Sequence, residues 1–106
     1  MTTMRESTLV RNMLQTLNSY PDCKAIKVHG SEFTESGTPD IIGCWRGRMF
    51  VIEVKATKTG KPTAIQQTRL AQWRAAGAVA RVMQPPLDFA SLWADLLRAE
   101  KVGEAR

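Results

Sequence analysis

Two β-rich runs separated by a short turn constrain this chain more than any other feature. Asp40-Ile41-Ile42-Gly43-Cys44 and Arg48-Met49-Phe50-Val51-Ile52-Glu53-Val54-Lys55 are apolar and branched, and Trp45-Arg46-Gly47 between them carries a turn glycine. The spacing predicts an antiparallel hairpin. Side chains two apart on a strand share a face, so Val51, Glu53 and Lys55 point one way and Ile52 and Val54 the other, toward a core. The Cα atoms of Glu53 and Lys55 should lie roughly 7 Å apart by strand rise. Charges on one face of an otherwise apolar strand need an explanation. A half-exposed strand with solvated charges is one. Another comes from Asp40, which follows Gly37-Thr38-Pro39 and opens the neighbouring strand, where pairing can bring it beside Glu53. Adjacent carboxylates repel unless a cation sits between them. Two carboxylates and a lysine are the residue set of a metal-dependent phosphodiesterase: the acids hold a divalent cation, and the lysine steadies the attacking water or the charge developing on phosphate.

The remaining segments supply the elements around that hairpin. Leu9, Val10, Met13, Leu14 and Leu17 recur at helical spacing between about Arg5 and Asn18, and Pro21-Asp22 ends the run. Ala25 to His29 reads as a short strand, with Ile26 and Val28 alternating with Lys27 and His29. Gly30 to Thr38 and Thr57 to Pro62 read as polar loops. A second helix should start near Thr63 and end at Gly77, a residue suited to a C-terminal cap. Ala78 to Met83 is a further strand and Pro85-Pro86 a break. The last helix runs from Leu87 to about Glu100 with Phe89, Leu92, Trp93 and Leu96 on one side, and the tail after Lys101 should fray. The order α-β-β-β-α-β-α specifies an α/β fold, a mixed sheet flanked by helices. With 106 residues, one domain over 1–106 is expected.

Composition narrows the partner. A net charge of +5 favours a polyanion, nucleic acid first, although a solvated basic surface gives the same balance. No apolar run approaches the roughly 20 residues of a membrane span, and Met1-Thr2-Thr3-Met4-Arg5-Glu6 lacks the apolar core of a secretion signal. No membrane partner and a cytoplasmic location are expected. Cys23 and Cys44 have neither CxxC spacing nor partner histidines and read as reduced structural cysteines. His29 is the sole histidine, which excludes a two-histidine metal site and leaves polar surface or a contact to DNA phosphate. Thr59-Gly60-Lys61-Pro62-Thr63 lacks the upstream glycine of a nucleotide phosphate loop and has proline after the lysine.

Two further polar residues sit at informative positions. Gln66 shares a helical stripe with Leu70, Trp73 and Gly77, whereas Gln67 falls about 100° away. A glutamine on a core-facing stripe must find partners, and a polar site at the sheet end would supply them. Thr63-x-x-Gln66 also fits a capping box, and the two readings are compatible. Glu6 lies on the stripe of the first helix, where the helix dipole alone accounts for an acid at the N-terminus.

Taken together, Ser36-Gly37-Thr38-Pro39-Asp40-Ile41-Ile42, Phe50-Val51-Ile52-Glu53-Val54-Lys55, Thr63-Ala64-Ile65-Gln66 and Ala75-Ala76-Gly77 resemble the virus-type replication-repair nuclease family (VRR-Nuc), a branch of the PD-(D/E)XK nucleases. The similarity spans Glu6 to Met83. An acid-x-lysine alone is a weak motif; the ordered set with its spacing is more specific. The resemblance implies that Asp40 and Glu53 are metal ligands, joined by the backbone carbonyl of Val54 and by Glu6 from the first helix. It implies that Lys55 orients or activates the water and that Gln66 supports the site. Mg²⁺ or Mn²⁺ would be the cofactor and DNA the substrate. Small stand-alone members, typical of phages and bacteria, are similar to dimeric resolvases of four-way (Holliday) junctions.

A chain with one such site needs two copies to make two symmetric cuts, so a homodimer is expected. The last helix and apolar residues such as Trp93 are candidate contact surface. Arg46, Arg48, Lys58 and Lys61 should lie in loops near the site and, with Lys27 and His29, hold backbone phosphates without reading bases. The rival expectations are a sequence-specific restriction-type endonuclease and a DNA-binding module that keeps the fold without catalysis.

Overall fold

The hairpin forms where the alternation demands it. In the computed structural model, which describes residues 5–32 and 34–99, β2 (Ile41–Trp45) runs antiparallel to β3 (Arg48–Val54), pairing Ile41 with Ile52 and Trp45 with Arg48. Arg46 and Gly47 both take positive φ, 49° and 81°, which gives the tight turn a twist matched to its strands. Around the hairpin stand α1 (Glu6–Ser19), β1 (Cys23–Lys27), α2 (Ala64–Ala75), β4 (Val79–Met83) and α3 (Phe89–Arg98). β1 joins β2 antiparallel and β4 joins β3 parallel, giving a four-stranded mixed sheet in the order β1-β2-β3-β4. The α-β-β-β-α-β-α order is the expected one.

Each face of β3 meets a different layer. Phe50, Ile52 and Val54 enter the main core with Leu9, Val10, Met13 and Leu17 of α1 and Leu92 and Leu96 of α3. Val51, on the opposite face, packs with Ala80 of β4 and Leu70 of α2, and Trp73 leans on them. Gly43 and Phe50 are cross-strand partners, and a Cβ on Gly43 would stand 2.3 Å from the Phe50 ring. The ring occupies the space that the glycine leaves. Gly77, at φ 106°, follows the C-cap Ala76 and ends α2 as anticipated.

Three expectations are corrected. The first strand is Cys23–Lys27 rather than Ala25 to His29, and its buried residue is Ala25, while Ile26 is 53% exposed. The side-chain amide of Asn18 on α1 explains this: it accepts from the Ala25 N–H at 2.8 Å and donates to the Ala25 carbonyl at 3.0 Å. That draws the helix against β1, where a small side chain fits and Ile26 must turn away. Trp93 is not an exposed contact surface. It is half-buried between Tyr20 (ring centroids 4.5 Å apart) and Trp45 (5.4 Å), and the exposed apolar side chain of α3 is Leu97. Both cysteines are free thiols, in line with the reduced state expected, but Cys44 is exposed and so has no structural part, while Cys23 is half-buried. Among the described residues no helix is long and apolar enough to cross a membrane. The last helix is shorter at both ends than the expected Leu87 to about Glu100, starting at Phe89 after the N-cap Asp88 and closing at Arg98 with Ala99 extended. The N-terminal Met1 to Met4 and the tail after Lys101 lie outside the described residues.

Candidate active site

The chain arrives at the site through the segment before β2. Gly37 takes φ 78°, and a Cβ there would come within 3.0 Å of Ile65 at the start of α2. Pro39 is fully buried. Asp40 is thereby delivered to the end of the sheet, where its carbonyl accepts from Val28 N–H (2.8 Å) and its Oδ2 accepts from Val54 N–H (2.8 Å). Val54, expected to offer its carbonyl, thus also engages Asp40 through its N–H.

Glu53 stands beside Asp40 and is 2% exposed, so the half-exposed-strand explanation of its charge fails. Burial, then the hydrogen bond and the charge of Asp40, push its carboxyl up from 4.5 to about 8; Glu6 adds to the rise and Lys55 opposes it. Glu6 is the first residue of α1, and one carboxylate oxygen each from Glu6, Asp40 and Glu53 lie within 4.8 Å of one another. The dipole explanation of Glu6 is therefore incomplete, because the helix also carries its acid to the other two.

Lys55 follows on the same face as Glu53, and its Nζ donates to Gln66 Oε1 at 2.9 Å. That oxygen also accepts from Thr63 N–H at 2.9 Å, while Thr63 Oγ1 accepts from Gln66 N–H at 3.3 Å. The capping box is formed, and the amide that closes it is the one that holds Lys55.

These residues fit a small hard cation. Mg²⁺ takes oxygen ligands at roughly 2.0–2.1 Å in an octahedron, which sets neighbouring ligand oxygens ~3 Å and opposite ones ~4 Å apart. Three oxygens within 4.8 Å need little movement to reach that spacing. The donor set is carboxylate with no thiolate or imidazole, which suits Mg²⁺ or Mn²⁺ rather than Zn²⁺. A cation there would also supply the charge that buried Glu53 lacks.

The flanking cations divide into two groups. Lys27 ends β1 opposite Ile41, next to Asp40, and His29 lies two residues beyond; both are exposed. Lys58 and Lys61 belong to a loop that folds back on Lys55: a Cβ on Gly60 would sit 3.2 Å from Lys55 Cβ, and Gln84 donates to the carbonyls of Thr57 and Gly60 at 2.8 Å. Arg46 and Arg48 are elsewhere, contrary to expectation. The turn is at the far end of the hairpin, five strand steps or roughly 17 Å from Glu53. Arg46 pairs with Asp22 (3.2 Å), Arg48 donates to the Ala99 carbonyl (3.2 Å), and both cover the Trp45 ring. Sequence reasoning missed Arg69, whose Nε donates to the Ser36 carbonyl (2.9 Å) and pairs with Glu35 (2.6 Å). Its spacing three residues after Gln66, on a neighbouring helical position, was the available signal.

The raised Glu53 carboxyl has a measurable consequence. Between pH 4.5 and about 8 the folded, metal-free protein holds a proton that the unfolded chain has released. Stability should therefore fall as pH rises through that window. Thermal unfolding in EDTA across the window checks this, and a midpoint that climbs steadily toward the upper end would contradict it.

No protein-family model matches this sequence, nor does any curated protein. Solved structures do match. A VRR_NUC domain protein has 17% identity over 95% of this chain and 94% of its own, with a TM-score of 0.64. A second VRR_NUC domain has 22% identity over 89% and 92%, with a TM-score of 0.58. Hjc, a Holliday junction resolvase of the archaeal hyperthermophile Archaeoglobus fulgidus, has 25% identity over 74% of this chain and 67% of its own, with a TM-score of 0.57. The resemblance read from the motifs thus holds in three dimensions, and this chain has the nuclease fold shared by VRR_NUC domains and Hjc.

Proposed function

We propose that this chain is a Mg²⁺- or Mn²⁺-dependent DNA endonuclease of the VRR-Nuc branch that cuts branched DNA, four-way junctions above all, as a homodimer. The observation that carries this reading is the meeting of Glu6, Asp40 and Glu53 with Lys55 alongside, drawn from α1, the pre-β2 loop and β3. Asp40, Glu53 and Glu6 hold the cation, with the Val54 carbonyl as a further ligand. When bound, the cation supplies positive charge against the phosphate and lowers the pKa of water. Lys55 Nζ orients the attacking water or donates to the phosphate, and Gln66 Oε1 keeps the ammonium in place. Lys27, His29, Lys58 and Lys61 ring the site and hold the sugar-phosphate backbone, in keeping with the +5 charge. A junction substrate is supported by the likeness to Hjc, named as a Holliday junction resolvase. A two-fold pair of single sites matches the symmetry of such a substrate.

The test is cleavage of labelled four-way junction, splayed arm, linear duplex and single strand, with Mg²⁺, Mn²⁺ or EDTA, beside Lys55→Ala. Paired symmetric nicks in the junction, abolished by EDTA and reduced about 10²–10⁴-fold in Lys55→Ala, are expected. Undiminished cutting by Lys55→Ala or in EDTA would sink the mechanism. Fixed-site cuts in linear duplex would identify a restriction-type enzyme instead, and junction binding without cutting a non-catalytic module.

A further inference from the structure

We propose that Arg69 is a positioning residue for Asp40, acting through the loop that precedes β2; this rests on the reading of Asp40 as a metal ligand. The loop closes on itself through Thr34 N–H to Ser31 C=O, Thr34 Oγ1–H to His29 C=O and Thr38 N–H to Glu35 C=O. Such bonds fix its shape but not its place relative to β3. Asp40 itself is held by Val54 N–H and Val28 N–H, and Arg69 adds a polar tie from the stretch before it to α2. Its Nε reaches the Ser36 carbonyl and the Glu35 carboxylate, and its side chain is only 21% exposed. Its Nη1 donates to Gln72 Oε1 at 3.1 Å, one turn along α2, which holds the guanidinium on the helix surface.

Only three residues separate Ser36 from Asp40, and little slack remains among them. Gly37 is pressed against Ile65, and Pro39 is buried. A displacement at Ser36 is therefore passed toward the carboxylate. The same helix holds Lys55 through Gln66, three residues before Arg69. One rigid element thus sets the two sides of the site against each other: the acid through Arg69, the lysine through Gln66. Such indirect support tunes how tightly a ligand set closes on its cation.

The competing role for an arginine in a basic protein is a direct phosphate contact, and the two predict opposite readouts. Arg69→Ala, Arg69→Lys and Glu35→Gln should be compared with the unaltered chain in three ways. These are Mn²⁺ binding by calorimetry without DNA, hydrogen exchange of residues 35–40 in EDTA, and four-way-junction affinity in EDTA against salt. Positioning predicts that Arg69→Ala weakens Mn²⁺ binding about tenfold and speeds exchange in the loop, with junction affinity and its salt slope unchanged. Arg69→Lys should recover part of the loss, because an ammonium still donates to the Ser36 carbonyl. Glu35→Gln should weaken Mn²⁺ binding less than Arg69→Ala does, since the Ser36 tie persists. Unchanged Mn²⁺ affinity in Arg69→Ala, with a junction salt slope lower by about one, would overturn the proposal in favour of a phosphate contact. An unaltered chain that binds no Mn²⁺ would overturn the metal-site reading itself and this proposal with it.

Discussion

Glu53→Gln is expected to make the metal-free protein more stable and, at the same time, unable to cut. The carboxyl is 2% exposed and lies against Asp40, with its titration pushed up to about 8. Near that pH the group is ionised about half the time, as a buried anion beside another. Glutamine keeps the volume and can donate its amide to Asp40, but it carries no charge. A gain of about 0.5–2 kcal/mol is in the range of such relief. In a domain near this size it corresponds to a midpoint rise on the order of 5 °C. Cleavage should fall by on the order of 10³ or more, because a neutral amide neither balances a divalent cation nor holds it firmly. Adding Mn²⁺ should then reverse the stability order, since ligand binding stabilises only the protein that can bind. Thermal scans in EDTA and in Mn²⁺, beside a junction-cleavage assay, test all of this. A midpoint lowered in EDTA would mean that repulsion at Glu53 is not the governing term.

The second large effect is structural. Phe50→Ala should cost about 3–5 kcal/mol, the usual range for removing a buried ring. Against a total stability of roughly 5–15 kcal/mol, that leaves the fold near collapse. Local packing places the cost in the upper part of that range. Phe50 is fully buried, and its ring fills the space over Gly43, which has no side chain to move into the void. Gly43→Ala should in turn cost about 1–3 kcal/mol by displacing that ring. Combining Gly43→Ala with Phe50→Leu should cost less than the two single changes added, because the smaller side chain makes room for the new methyl. Urea unfolding of the four proteins measures the cycle. Strict additivity would show that the ring and the glycine are not coupled.

How much of this was legible in the sequence depended on the range of the interaction. Period-two alternation over Arg48 to Lys55 was long enough to assign both faces, and the structure agrees with each assignment. Asp40 and Glu53 could be brought together because a short turn leaves little freedom of register. The five residues of β1 gave no such leverage. Ile26 is the more hydrophobic of its neighbours, yet a long-range bond from Asn18 decides that Ala25 faces the helix. Arg46 and Arg48 are near Asp40 and Glu53 in sequence but not in space, because a hairpin puts its turn at maximal distance from its open end. The partial burial of Trp93 follows from meeting Tyr20 and Trp45, contacts that helical periodicity does not report. The dual bond of Gln66 was readable only as two compatible alternatives. That a single oxygen serves both needed coordinates.

The strand that carries Lys55 does not end its pairing at its own hairpin. The Lys55 N–H donates to the carbonyl of Met83, on a strand that follows the whole of α2. The lysine beside the Glu6, Asp40 and Glu53 cluster therefore takes its backbone support from a residue far along the chain, next to the pairing of Val54 with Met83. The place of the lysine beside the acids is thus set by a strand brought in from beyond α2 as much as by the hairpin that precedes it.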